Sequence, residues 1–374
     1  MVRAAVIVAL VAAAGCGARR RAPAPAHADA GAPVAEVAAP PPTSPRPFVI
    51  GAVVVAARLD DRVVPLRLDA ATGAWWPLGS GPDHLFPTEV AHRDAILVVA
   101  ARGEREGEHV EQLAWVRGDA VEPLGPRAAS IRNPTRAGTG AIVFESSAHS
   151  FRDLYRLGGA AAATTGAATR LTDDAAGNFE PALSPDGRDL VFTSSRDGDA
   201  ELYRMPTAGG RATRLTASAR DDWGARWSPD GRRLVFLSDR EGAPRAFVMT
   251  ADGTELRRLT ADSEPEIVED APRWSPDGTT IALIRGQASA AAVVVVDAAP
   301  TGAAAPPRTL TPAGASDTDL AWSPDGRYLV LARHQPAAAA AAVTFVRVSD
   351  SVVVARDPIE PLALRWYQPA PAGP

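Results

Sequence analysis

The sequence has almost no cysteine: Cys16 is the only one among 374 residues. A single thiol excludes an internal disulfide framework and a zinc site built from cysteine pairs. The six histidines do not follow metal-ligand spacing, and neither HExxH nor GxSxG occurs. They are His27, His84, His92, His109, His149 and His334. We therefore expect no metal and no cofactor, and we expect that the chain is not an enzyme.

The sequence also lacks an excess of charge of one sign. Lys and Arg (39) nearly balance Asp and Glu (44), which leaves a net charge of -5. A protein that binds nucleic acid needs a concentrated positive surface, so we expect no nucleic-acid partner. The apolar run from Ala4 to Ala14 is too short to span a bilayer, and its length is typical of a signal peptide.

The N-terminus has the features of a bacterial lipoprotein signal. Arg3 precedes the apolar run, and small residues end the run directly before Cys16, in "AAGC". This resembles a lipobox, in which the cysteine is lipidated and the chain is cut before it. We expect a signal peptide over residues 1–15 and a lipid on Cys16. The alternative is an ordinary secretory signal with an incidental cysteine.

The residue after the cysteine bears on localisation. It is Gly17 and not aspartate, and the resemblance to bacterial sorting signals then implies the outer membrane. We expect the folded part to face the periplasm, with the cell surface as the alternative. Residues 16–47 are rich in proline and alanine without apolar periodicity, which is typical of an extended tether. The folded domain is expected over residues 48–369 and a disordered tail over residues 370–374.

Four copies of "SPDG" dominate the rest of the chain. They begin at Ser184, Ser228, Ser275 and Ser323, between 44 and 48 residues apart. Proline presets the backbone at the first central position of a tight turn, aspartate suits the second, and glycine closes the bend. The predicted turn residues are Pro185, Asp186, Gly187, Pro229, Asp230, Gly231, Pro276, Asp277, Gly278, Pro324, Asp325 and Gly326.

Three further strand-like segments follow each turn. After the second copy they are "RLVFLS", "AFVM" and "LRRLT", separated by "REGAPR" and "ADGT". Four antiparallel strands repeated at this period describe the blade of a β-propeller. Weaker copies upstream and a lone strand in Ile359–Pro369 predict an all-β chain of seven blades, with six or eight as the alternatives. We expect the C-terminal strand to complete the N-terminal blade and close the ring.

The repeat resembles a known family. "WSPDG" followed by "LVF", "LYRM" and "RLT" resembles the WD40-like repeats of the TolB propeller family, strongly over Pro181–Arg333. The resemblance implies a non-enzymatic protein of the cell envelope. It also implies that one face of the propeller binds protein partners, among them a peptidoglycan-associated lipoprotein.

Six second strands of the predicted blades end in arginine, and these are Arg58, Arg102, Arg196, Arg240, Arg285 and Arg333. In a propeller these ends share a face with the connections between blades, which are acidic here. The acidic candidates are Asp222, Glu269, Asp270 and Asp319. Two interpretations stay open: the charges pair to tie neighbouring blades together, or the face receives a protein or peptide partner.

We expect a monomeric, membrane-anchored envelope lipoprotein whose propeller is a non-catalytic platform for a protein or peptide, including one linked to peptidoglycan. The alternative is a carbohydrate-active hydrolase or lyase with converging carboxylates in the central funnel. Charge reversal at Asp222, Glu269 and Asp270 is expected to weaken partner capture without unfolding the domain. Tryptophans recur once per blade just before the turn, which indicates core packing and not a ligand cage; they are Trp227, Trp274, Trp322 and Trp366.

Overall fold

The structure is a computed structural model. It describes residues 52–59, 62–69, 74–79, 84–92, 95–105, 108–136, 140–147, 151–158, 167–261, 266–287, 290–298, 306–311, 316–334, 342–357 and 363–367. The predicted signal peptide, Cys16, the tether and the C-terminal tail lie outside these residues. Among the described residues no helix has the length and apolar character that a membrane span requires.

The described strands form seven antiparallel sheets of four strands each. Every sheet has an innermost strand that contacts the innermost strands of both neighbouring sheets, which makes a closed ring. These innermost strands are β4 (His84–His92), β8 (Ile131–Arg136), β12 (Asn178–Leu183), β16 (Asp222–Trp227), β20 (Val268–Trp274), β24 (Ser316–Trp322) and β28 (Ala363–Tyr367).

The second and third strands carry most of the apolar residues. The second strands are β1 (Ala52–Leu59), β5 (Ala95–Arg105), β9 (Ile142–Ser146), β13 (Asp189–Ser194), β17 (Arg233–Ser238), β21 (Thr280–Gln287) and β25 (Tyr328–His334). The third strands are β2 (Arg62–Asp69), β6 (Glu108–Arg117), β10 (Asp153–Leu157), β14 (Glu201–Pro206), β18 (Arg245–Thr250), β22 (Ala290–Asp297) and β26 (Ala342–Arg347).

The outer strands are mostly short. They are β3 (Trp75–Pro77), β7 (Ala120–Ala128), β11 (Thr169–Arg170), β15 (Thr213–Arg214), β19 (Arg257–Arg258), β23 (Arg308–Thr309) and β27 (Val352–Asp357). Blades 2 to 7 each use four consecutive strands from β4 to β27, and blade 1 combines β28 with β1, β2 and β3.

The ring closes through blade 1, as the sequence predicts. Strand β28 pairs antiparallel with β1, and the register places Val53 opposite Trp366. A strand from the C-terminus therefore completes the first blade, and β28 also contacts β24 of blade 7. The prediction of an all-β propeller with seven four-stranded blades is confirmed.

Apolar clusters fill the spaces between neighbouring blades. Between blades 4 and 5, Val191 and Leu202 pack with Phe236 and Phe247. The second strands are buried on both faces for this reason, because each blade is covered by a neighbour on either side. An equivalent cluster joins blade 7 to blade 1, which buries Phe345 with the valines of β1.

The innermost strands of blades 3 to 6 share an irregularity. Asn133, Glu180, Gly224 and Ala271 occupy matching positions and have φ values between 46° and 69°. The pairing register with the second strand shifts at each of these positions. A left-handed residue other than glycine costs about 1–2 kcal/mol, so these strands hold strained backbone next to the middle of the ring.

Candidate functional site

The two ends of the propeller differ in what they carry. One end bears the turns between first and second strands, including the four SPDG segments, and we call it the turn face. The other end bears the turns between second and third strands and the connections between blades, and we call it the connection face. Asp222 N donates to Ala200 O at 2.7 Å, and Glu269 N to Pro244 O at 3.0 Å. Each such bond joins the second turn of one blade to the innermost strand of the next blade.

The SPDG segments are tight turns that are stabilised by hydrogen bonds within the turn. In the second copy, Gly231 N donates to Ser228 O at 2.9 Å. The Ser228 hydroxyl donates to Asp230 at 2.5 Å and accepts from Arg233 N at 2.9 Å. The Ser228 hydroxyl is also the largest influence that lowers the pKa of Asp230. The serine and aspartate of the motif are thus engaged inside the turn.

Neighbouring turns pack against one another around the turn face. A Cβ on Gly231 would lie 3.6 Å from Pro185 of the preceding turn, and a Cβ on Gly278 would lie 3.5 Å from Pro229. Gly326 and Pro276 repeat the contact at 3.7 Å. These distances are ordinary van der Waals contacts, so the proline–glycine pairs form a continuous row.

The repeated tryptophans connect the innermost strands. Trp227 Nε1 donates to Ala182 O at 2.9 Å, Trp274 Nε1 to Arg226 O at 3.1 Å, and Trp322 Nε1 to Arg273 O at 3.0 Å. Each acceptor lies on the innermost strand of the preceding blade. The contacts agree with core packing between blades. The side chain of Trp366 lies outside the described residues.

Arginine side chains on the connection face are engaged within their own blades. Arg240 Nη2 contacts both carboxylate oxygens of Asp222 at 2.9 and 2.8 Å, and its guanidinium lies 4.7 Å from the centre of the Phe247 ring. Arg196 is held similarly, over Tyr203 at 4.6 Å and against Asp174 at 2.9 Å. Because Asp222 lies on the same blade as Arg240, this pair does not tie neighbouring blades together.

The remaining predicted arginines lie at the same end of their strands. Arg285 Nε lies 3.6 Å from Glu269, and Arg333 Nη1 lies 3.7 Å from Asp317. Arg333 is only 2% exposed, so its side chain is not accessible from solvent. Arg58 and Arg102 end matching second strands, but their side chains lie outside the described residues.

Two of the acidic candidates are buried, although the sequence predicts them on an accessible face. Asp222 is fully buried and Glu269 is 1% exposed. The Glu269 carboxylate accepts from Ala246 N at 2.8 Å and from the Thr260 hydroxyl at 2.6 Å. Glu269 therefore joins blade 6 to blade 5, and we expect charge reversal at Glu269 to disrupt the packing between these two blades. The expectation that reversal at Asp222 and Glu269 leaves the domain folded is corrected on this point.

Threonines missed by the sequence reading complete these contacts. Thr260 closes a "RLT" segment, and Thr216 and Thr311 close "RLT" and "TLT". The Thr216 hydroxyl donates to Glu201, and the Thr311 hydroxyl donates to Asp317 at 2.7 Å. The threonine recurs in blades 3 to 6, where Thr172 is the fourth copy, so the repeat itself contains the signal that identifies it.

Carboxylates on the innermost strands have raised pKa values. Burial is the main cause that raises the pKa of Glu180, and the Asp270 carboxylate raises it further. Burial likewise raises the pKa of Asp270, and Asp319 adds to that effect. Glu180 lies on the innermost strand of blade 4 and Asp270 on that of blade 6. The charge of Asp270 therefore acts on Glu180 from a blade that is not its direct neighbour.

A buried glutamate of blade 3 accepts a hydrogen bond from the innermost strand of blade 4. Glu145 Oε1 accepts from Asn133 Nδ2 and from Glu180 N, both at 2.6 Å. Its Oε2 accepts from Arg152 Nη1 at 3.3 Å. Burial raises the pKa of Glu145 above its ordinary value, although these donors oppose the effect. Neither Glu145 nor Glu180 recurs in the other blades, so periodicity gives no signal for them.

The accessible part of the connection face is acidic. Within the described ranges it exposes carboxylates on several turns and connections, with Arg220 beside them. The exposed acidic residues are Asp173, Asp197, Asp199, Glu241 and Glu266. No group of three or more His, Cys, Asp or Glu side chains in the described part of the chain is placed to hold a metal ion.

Comparisons place the chain beside propellers of different function. A family model described as the TolB beta propeller domain matches residues 160–351, more than half of the chain. No curated protein matches the chain. The crystal structure of TolB from Acinetobacter baumannii is similar, with 20% identity and a TM-score of 0.52. The similarity covers 76% of this chain and 65% of the TolB chain, which is less than two thirds of TolB.

Two enzymes contain similar propellers. An oligogalacturonate lyase in complex with manganese has 14% identity and a TM-score of 0.57, with 82% of this chain and 85% of the lyase covered. A puromycin hydrolase has 20% identity and a TM-score of 0.60, with 86% of this chain and 54% of the hydrolase covered. At these identities the likeness shows a shared fold. The prediction that the chain is not an enzyme is wrong, because this fold also occurs in a lyase and a hydrolase.

Proposed function

Because the chain belongs to the TolB beta propeller domain family, we propose that it is a membrane-anchored lipoprotein of the bacterial cell envelope whose propeller binds a protein or peptide. The observation that carries the proposal is the acidic connection face, which exposes carboxylates on successive blades. Surface loops held by a rigid scaffold are common positions for binding residues. The partner would therefore dock across the ends of blades 3 to 6.

The charge of this face specifies the chemistry of the partner. Asp199 has no hydrogen-bond or ion-pair partner among the described residues, while Glu241 accepts from Arg258 at 2.9 Å and Glu266 from Gln287 at 3.1 Å. All three side chains are exposed. A surface or peptide rich in lysine and arginine complements them. Association with such a partner would be steered by charge and would slow as salt is added.

Membrane attachment rests on Cys16 and is tested separately from binding. Replacing Cys16 with serine removes the thiol that would carry the lipid. We expect wild-type protein in the membrane fraction of an expressing bacterium and Cys16→Ser protein in the soluble fraction of the envelope. A Cys16→Ser protein that stays with the membrane would reject the lipid anchor while leaving the binding role open.

The binding role is tested by reversing charge on the exposed acidic residues only. A variant with Asp199→Lys, Glu241→Lys and Glu266→Lys should keep its fold, because none of these carboxylates is buried. Crosslinking in intact envelopes should give a defined adduct with wild-type protein and a clearly weaker one with this variant. Glu255→Lys is the matched control, since Glu255 is exposed in a turn at the opposite end. Equal adducts from all three proteins would reject this face.

A second candidate is a carbohydrate-active enzyme that works in the central channel. The observation that favours it is the pair Glu180 and Asp270, whose pKa values are both raised. A carboxyl group with a raised pKa suits a general acid. Incubation with oligogalacturonate should then yield shorter products with wild-type protein and none with Glu180→Gln. Absence of cleavage across acidic, neutral and divalent-metal-supplemented conditions would count against this candidate.

A further inference from the structure

A groove of about 380 Å³ lies between blades 3 and 4, beside their outer strands. Leu171 comes from the connection after β11, and Met205 comes from the end of β14. Met205 belongs to the apolar cluster that joins the two blades and Leu171 packs against it, but Met205 is only 2% exposed, so the accessible lining of the groove is mainly polar. Its other lining groups are mainly charged, and they come from two separate elements.

One wall of the groove is a fixed ion pair. Arg196 Nη2 contacts Asp174 at 2.9 Å and Asn178 Oδ1 at 2.9 Å, and Arg196 Nε donates to Ser194 Oγ at 2.9 Å. The guanidinium also lies 4.6 Å from the centre of the Tyr203 ring. These contacts satisfy Arg196 and hold it in one position. The wall is therefore rigid and carries little net charge.

Two further charges in the lining have no partner. Asp173 precedes the ion-paired Asp174, and Arg211 lies in the turn before β15. Both side chains line the groove and are exposed. Neither has a hydrogen bond or an ion pair among the described residues. Among the described residues, the groove thus presents one unpaired negative group and one unpaired positive group in a mainly polar lining.

The corresponding space between blades 4 and 5 is closed. There, a Cβ on Gly253 would lie only 2.9 Å from Leu215 O, because the turn of blade 5 packs directly on the preceding connection. In blade 4 a Cβ on Gly209 would lie 3.8 Å from Leu171, and a Cβ on Gly210 would meet nothing within 4 Å. The opening between blades 3 and 4 therefore has no counterpart between blades 4 and 5.

We propose that this groove binds a small zwitterion, namely a free amino acid or a short peptide with unblocked ends. The ammonium group would face Asp173, the carboxylate would face Arg211, and the carbon skeleton would lie beside the half-buried Leu171. The volume falls at the lower end of the range of small-molecule sites. The groove shares Asp173 with the acidic connection face, but none of the three carboxylates reversed in the test of that face lines it, so the two proposals are tested independently.

The test uses three forms of one peptide with the purified full chain. Triglycine carries both end charges, acetylated triglycine keeps only the carboxylate, and triglycinamide keeps only the ammonium. Titration followed by saturation-transfer NMR of the peptide should give the tightest binding for triglycine. Each blocked form should bind about fivefold more weakly, as expected for loss of one exposed ion pair. Equal binding of the three forms, or no binding of triglycine, would overturn the proposal.

Two variants locate the binding in the groove. Arg211→Gln should weaken triglycine about fivefold but leave triglycinamide unchanged, and Asp173→Asn should do the converse with acetylated triglycine. The control is Arg220→Gln, because Arg220 is an exposed arginine of the next connection that does not line the groove. Because all three side chains are exposed, folding should be retained. A control that weakens binding as much as Arg211→Gln would place the peptide elsewhere.

Discussion

Tryptophans at the ends of the innermost strands combine apolar contact with a directed hydrogen bond. Trp274 is 9% exposed, belongs to the cluster between blades 5 and 6, and donates to Arg226 O on the preceding blade. A leucine at this position would supply the contact without the donor. The indole therefore fixes the spacing of neighbouring blades as well as filling the space between them.

Replacing Trp274 with phenylalanine removes the donor and leaves the Arg226 carbonyl without it. We expect the free energy of unfolding to fall by about 1–3 kcal/mol, from the lost hydrogen bond and the smaller ring. Urea denaturation measures this change. Trp76→Phe is the control, because Trp76 lies on an outer strand and is 38% exposed. A control that loses as much stability would show that the donor at Trp274 has no special role.

Buried carboxylates are a second feature at the scale of residues, and burial makes their ionised form less stable. Burial raises the pKa of Glu180 above that of an unfolded glutamate, and Asp270 adds to this effect. The folded state therefore binds the proton more tightly than the unfolded state. This contribution favours folding at low pH and weakens as pH rises through the raised pKa.

Replacing Glu180 with glutamine removes this ionisation while keeping a side-chain oxygen that can accept from Gly224 N. We expect the variant to gain stability relative to the wild-type protein as pH rises from about 4 to 8. Thermal denaturation at a series of pH values measures the difference. A constant difference over this range would mean that the pKa of Glu180 is the same in the folded and unfolded states.

At the scale of elements, the repeat predicts most hairpins because each depends on a local turn. Ser228, Pro229, Asp230 and Gly231 satisfy their turn internally, so four residues are enough to identify it. The bulges at Glu180 and Ala271 are different. Glu180 N donates to Glu145 of the preceding blade, whereas Ala271 N donates to the adjacent Asp270 side chain, so the two left-handed residues share no local pattern that identifies them.

The fit between a turn and the adjacent connection can be tested with a single methyl group. Gly253 has φ +87°, and a Cβ there would lie 2.9 Å from the Leu215 carbonyl. We expect Gly253→Ala to lower the free energy of unfolding by about 2–4 kcal/mol, from backbone strain together with the clash.

Gly198→Ala separates these two causes. Gly198 has φ +112°, but a Cβ there would meet nothing within 4 Å. This variant should lose only the strain, about 1–2 kcal/mol. Urea denaturation of both variants gives the comparison. Equal losses would show that the seam between blades 4 and 5 adjusts to the methyl group.

At the scale of the whole molecule, the shared blade is predictable because the first repeat lacks an innermost strand and the last repeat consists of one strand. The candidate sites are less predictable. The sequence predicts Asp222 and Glu269 on an accessible face, but packing between the blades buries both side chains. The effect of Asp270 on Glu180 depends on the diameter of the ring, which no segment of the sequence specifies.

Removing residues 359–374 deletes β28 and leaves β1 without its inner partner. We expect the melting temperature to fall by about 5 °C or more, because blade 1 loses a strand and its contacts with blade 7. The control is removal of residues 368–374, which keeps β28. Calorimetry of both truncated proteins makes the comparison, and equal melting temperatures would contradict closure through β28.

The pairing of β28 with β1 also sets an order in time. A ribosome makes β28 after β1 and after every strand of blades 2 to 7, so β1 and β28 can pair only once those six blades have been made. Until then the first blade has three strands and the growing polypeptide is an arc. A chain that terminates early anywhere in blades 2 to 7 stays an arc, with an edge open to other strands. The ring can therefore close only in a protein whose synthesis has passed β28.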